Sequence, residues 1–209
     1  MNTRVALPAG LFAVLMMTAA CSENLDPVPT APTGPASLSS FLLPRVDGLW
    51  GGPLTLASVA GGTGPARDAG GLECAGAAFD AVVGESIDHT LSITRTGTDV
   101  TAITARLTST GTGLACTYAG RIGSNGTLVL DAESCAAPVL LLRCPPNEAG
   151  VVLVREMQLV GSSITASIDA PVNVTSVSGT AAHTYNVTGN EGNVGTLIAN
   201  HIFTNLTRR

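Results

Sequence analysis

The side chains with chemistry to offer are few and far apart. Arg155 falls in phase with Leu153, Met157 and Leu159, which sets a guanidinium on the apolar face of a strand. An ionised group there is costly unless paired, so it marks a ligand carboxylate or a polar cavity, unless it sits near a barrel mouth and reaches water. Arg155, Trp50 and Tyr118 are the candidate ligand contacts. His89, His183 and His201 are the only histidines. No His-x-x-x-His pair or acidic cluster accompanies them, so they read as solvated or core imidazoles and not as zinc ligands. The run Gly189-Asn190-Glu191-Gly192-Asn193 offers oxygens to calcium but too few carboxylates, and reads as a hairpin loop. There is no Gly-x-Ser-x-Gly, and Ser162-Ser163 has no base near it in sequence. The chain contains no lysine, which excludes a phosphate-binding P-loop, a lysine Schiff base and a Ser-Lys nucleophile pair. No catalytic residue, metal or cofactor is expected, and the protein reads as a non-enzyme.

Before any of these residues comes an export signal. Residues 1–20 open with Arg4, run through Leu7, Phe12, Val14, Leu15 and Met16, and end on Thr18-Ala19-Ala20 before Cys21. The stretch is too short and wrongly flanked for a permanent membrane span. Small residues just before a cysteine resemble the lipobox of bacterial lipoproteins, although Thr18 stands where that family favours an aliphatic residue. The resemblance implies cleavage before Cys21, a lipid on its thiol, and, with Ser22 next, sorting to the outer membrane. Residues 21–45 carry Pro27, Pro29, Pro32, Pro35 and Pro44 with no apolar period, which reads as a semi-rigid tether between the lipid and a domain at 46–209.

Composition narrows the partners of that domain. Charged residues make up 12% of the chain, about half the usual share, and abundant Gly and Thr favour strands and turns. A net charge of -5 gives no attraction for nucleic acid, so the expected partners are the membrane through the lipid, a small ligand, or another envelope protein.

The elements that must position Arg155, Trp50 and Tyr118 are short strands. Alternation places them at 48–57, 87–96, 99–109, 113–122, 127–133, 151–160, 163–170, 176–188 and 194–205. About nine such strands separated by turn residues predict an all-β fold: an antiparallel up-and-down meander closed into a barrel, or else a two-sheet sandwich. The glycine-rich run at 60–71 reads as a surface loop, and 72–83 is ambiguous between helix and strand. Gly48-Leu49-Trp50 on the first strand resembles the start of lipocalin and avidin-like barrels, where the indole plugs one end. That resemblance offers Arg155 another place, stacked over Trp50, while the plainer reading makes Trp50 a core aromatic.

Two hairpins can be read to the level of register. A type II′ turn at Gly161-Ser162 pairs Leu159 with Ile164, Met157 with Ala166, Arg155 with Ile168 and Leu153 with Ala170. A three-residue loop at Ser124-Asn125-Gly126 pairs Ile122 with Leu128, Gly120 with Leu130 and Tyr118 with Ala132. That register puts Cys116 on the apolar face and Cys135 on the other. With Cys21 taken by lipid, the expected disulfides are therefore Cys74 with Cys116 and Cys135 with Cys144.

Small inward residues such as Gly120, Ala132 and Ala166 leave either interior space or closely packed strands. The leading functional reading is a lipid-anchored envelope protein whose barrel binds a small or amphipathic ligand. A structural or protein-interaction module is the alternative, and a secreted hydrolase comes third.

Overall fold

The computed structural model describes residues 43–61, 73–146, 150, 152–169, 173–190 and 192–209. The leader, Cys21, most of the 21–45 tether and most of the glycine-rich run lie outside the described residues. The alternating stretches form β1 (Gly48–Gly61), β2 (Ser86–Arg95), β3 (Ala102–Ser109), β4 (Leu114–Ile122), β5 (Thr127–Ala136), β6 (Leu140–Pro146), β7 (Val152–Ile168), β8 (Ser176–Gly189) and β9 (Gly192–Arg208). One helix, α1 (Glu73–Asp80), occupies the ambiguous stretch before β2. Every second side chain is buried along most strands, as in Ile103, Ala105 and Leu107 of β3, which is the period of a sheet with one dry face.

All pairings are antiparallel, in the order β5-β4-β3-β2-β1-β9-β8-β7-β6, and a further pairing of β5 with β7 closes eight strands into a barrel with β6 outside the ring. The expected barrel is the fold, and the sandwich is not. Closure satisfies the backbone groups that a sandwich would leave along its sheet edges.

The described residues form nine strands, the number expected, yet two of the expected strands differ. Residues 151–160 and 163–170 are a single strand, β7, and not a hairpin. Leu159 pairs with Tyr185 and Gly161 with Thr184, so Val160 is a β-bulge. One inserted residue flips the face: Arg155, Met157 and Leu159 are buried before it, Ser162, Ile164 and Ala166 after it. None of the four pairings expected across Gly161-Ser162 exists. The missing strand is β6, which lies along the first half of β7 with Leu140 opposite Met157 and Leu142 opposite Arg155.

The other hairpin has the expected register, with Ile122 opposite Leu128, Gly120 opposite Leu130 and Tyr118 opposite Ala132. Gly126 takes the left-handed conformation (φ 82°) that this loop requires. At Gly120 the strands approach so closely that a Cβ would stand 2.0 Å from the Val129 carbonyl oxygen. The small residue there serves strand contact, not interior space.

The disulfides differ from the expected pairs: they join Cys74 to Cys144 and Cys116 to Cys135. The reason is a second bulge. Tyr118 faces Ala132 but Thr117 faces Ser134, so Glu133 is the extra residue, and beyond it Cys135 turns to the face of Cys116. The two become direct cross-strand partners with Cα atoms 4.1 Å apart. Cys74 is left for Cys144, which ties α1 to β6.

The barrel has one packed end and one elaborated end. At the packed end Trp50 is fully buried, donates its indole N–H to the Val46 carbonyl at 2.8 Å, and lies beneath the guanidinium of Arg208, 4.9 Å from the ring centroid. Around it Ile93, Ile103, Ile122, Leu128 and Leu130 fill the interior. Leu43 and Pro44, expected to end the tether, are already buried there, and Arg95 holds this segment by bonding the Pro44 carbonyl and the Asp47 carboxylate. At the other end the long strands β7, β8, β9 and β1 run on past their short neighbours. Their inward face there, with Met157, Val187, Val194 and Leu197, packs against Ala75 of α1 in a second apolar cluster.

Candidate functional site

Each histidine sits at an inward position of its strand. His89 precedes Leu91 and Ile93 in β2, His183 lies between Ala181 and Tyr185 in β8, and His201 between Ala199 and Phe203 in β9. Because β1 lies between β2 and β9, and β8 follows β9, barrel curvature turns all three imidazoles toward one space. His183 and His201 are diagonal neighbours across β8 and β9, with ring centroids 4.8 Å apart.

That space is a cavity of about 200 Å³ at the end opposite Trp50. Its walls are Leu54, Leu56 and Leu114 from the barrel, Phe79 of α1, Val82 just after it, and Leu140 of β6. The polar side chains that line it are those of the three histidines, Tyr185, Thr112 and Glu85. Phe79 packs on Tyr185 at 5.3 Å between ring centroids, so the helix forms a roof. An eight-residue helix has little stability of its own; the Cys74–Cys144 bond and the apolar cluster beneath hold it in place.

The imidazoles are kept neutral. Burial pushes the pKa of His183 down to about 3, and the neighbouring His201 and His89 act in the same direction. Burial also lowers His201, with His89 adding to it and the carbonyls of Ala199 and Ala181 opposing it. His89 is lowered by burial against the pull of the Ile87 carbonyl and Asp88. His89 Nδ1 lies 2.7 Å from the Ile87 carbonyl oxygen. A carbonyl only accepts, so Nδ1 carries the proton and Nε2 of the neutral ring is an acceptor. His183 Nε2 is buried without a hydrogen-bond partner.

None of the three expected ligand contacts lines this cavity. Trp50 belongs to the packed end. Tyr118 is fully buried, and its hydroxyl shares a 2.8 Å hydrogen bond with Ser162. Arg155 is 2% exposed and lies opposite Leu142, at the end of β7 far from Trp50. The place over the indole belongs to Arg208 instead. The expected strand ended at 205, three residues short, and so left this arginine out.

The three histidines, read in sequence as unrelated, are the residues the fold brings together. Their signal was parity: each lies two residues from apolar side chains of the same strand face. Among the described residues no group of three His, Cys, Asp or Glu is placed to hold a metal ion. The 189–193 run is a tight hairpin, with Gly189 opposite Gly192, and Glu191 lies outside the described residues. The arrangement is a pocket partly open to solvent, with Glu85 and Ile87 exposed at its edge, that can take a small apolar molecule and offer it an imidazole nitrogen. In comparisons with known proteins, no family model, no curated protein and no solved structure matches the chain.

Proposed function

We propose that the protein is a non-catalytic lipoprotein of the bacterial envelope, anchored at the outer membrane through Cys21, whose barrel holds a small, mainly apolar ligand beneath α1. The observation that carries this reading is the roofed cavity. Its volume of about 200 Å³ exceeds the ~150 Å³ that suffices for benzene in an engineered core. The crossing of Arg208 over Trp50 at the packed end adds support for kinship with lipocalin-like barrels.

Ethylbenzene followed by ligand-observed NMR should bind the purified protein, and Val82→Trp, which fills the cavity from the roof, should abolish binding. Retained binding in a folded Val82→Trp protein would place the ligand elsewhere. For the anchor, an inhibitor of lipoprotein signal peptidase should accumulate a larger precursor. Unchanged mobility would count against acylation.

A second reading, an interaction module, is favoured by the outer surface of β6 and β7. Leu141 is 65% and Val160 57% exposed, and Val152 is exposed further along β7. Apolar surface of this kind commonly marks a contact with another protein. Leu141→Glu should release such a partner without disturbing the cavity.

A further inference from the structure

Resting on the cavity reading above, we infer that the site selects neutral molecules that donate a hydrogen bond, such as a phenol or small alcohol, over carboxylates of the same size. The polar groups that face the cavity set this preference. His89 presents an acceptor nitrogen, because its other nitrogen is committed to the Ile87 carbonyl at 2.7 Å. The rings of His183 and His201 line the cavity beside it, while His183 Nε2 and His201 Nδ1, without a hydrogen-bond partner among the described residues, have almost no exposed surface. A ligand that covers His89 Nε2 without donating to it leaves a buried acceptor unsatisfied, which is costly.

A hydroxyl has one proton to give, and the His89 acceptor is where it is needed. A carboxylate cannot donate to the His89 lone pair, and it would surrender its hydration inside apolar walls with no cation to receive it among the lining residues. Glu85 at the same cavity repels it further. An ether of equal shape fits the walls but cannot satisfy His89. The expected ranking is therefore hydroxyl first, ether next, carboxylate last.

The test measures binding of para-ethylphenol, para-methylanisole and benzoate to the purified wild-type protein near neutral pH by calorimetry and ligand-observed NMR. We expect para-ethylphenol to bind roughly tenfold more tightly than para-methylanisole, the value of about one buried hydrogen bond, with benzoate weakest. In His89→Phe the preference for the phenol should shrink while the ether still binds. Equal affinities for all three, or a preference for the carboxylate, would overturn the inference and leave the cavity reading standing. Failure of every probe to bind would overturn both. The comparison is made on the wild type, so a variant that does not fold leaves the test intact.

Discussion

Lowering the pH from about 7 to about 4 should destabilise the fold by roughly 3 kcal/mol through His183 alone. Its folded pKa is about 3, whereas the unfolded chain titrates near ~6.5. Between those values the unfolded state binds a proton that the folded state does not. Stability is therefore complete above the unfolded value and falls steadily as acid is added, until the folded value is reached. His89 and His201, lowered for the same reason, steepen the loss. Asp169, held at about 2 by Thr175 and Ser176, and Asp99, lowered by Thr101, act in the same direction at more acid pH. Urea denaturation at stepped pH should show the midpoint dropping from neutral pH downward. A stability that stays flat to about pH 4 would mean that the imidazoles are hydrated, against the buried setting described here.

Replacing Cys74 and Cys144 together by serine should cost about 4 kcal/mol. The bond closes a segment of 70 residues, and the loss follows from the chain entropy that such a link withholds from the unfolded state. The effect should be concentrated in α1. Hydrogen exchange over 73–80 should accelerate strongly while β2, β3 and β4 stay protected, because the barrel ring does not depend on the roof. Binding in the cavity should weaken as well, since Phe79 and Val82 are part of its wall. Unchanged exchange in the helix would show that the apolar cluster around Ala75 suffices to hold it.

What could be read from the chain was what is local. The Ser124-Asn125-Gly126 loop carries its own turn chemistry, and its register followed from three residues and the alternation on either side. The bulge at Val160 defeats the same method. Apolar residues shift from odd positions (Met157, Leu159) to even ones (Ile164, Ala166), and a two-residue turn at Gly161-Ser162 produces an identical shift. Only the partner strands decide, and β8 runs alongside both halves. The bulge at Glu133 hid the disulfides similarly, since a strict alternation from Tyr118 outward sends Cys135 to the wrong face.

The site was hidden for a different reason. His89, His183 and His201 lie on three strands that meet only when β1 pairs with β9, a contact between the two ends of the domain. Pattern within one strand gives their inward direction, but it cannot say that three inward directions converge. Arg155, a charged group on an apolar strand face, is buried as expected but belongs to the extension beyond the ring.

On the proposed reading, a ligand is held at the imidazoles under the helical roof. Imidazole nitrogen resonances, recorded by long-range proton–nitrogen NMR with and without para-ethylphenol, test it most directly. Neutral rings are expected for all three histidines at pH near 7, with a shift of the His89 Nε2 signal when the phenol binds. Binding that leaves that nitrogen unmoved, or rings already protonated at that pH, would contradict it.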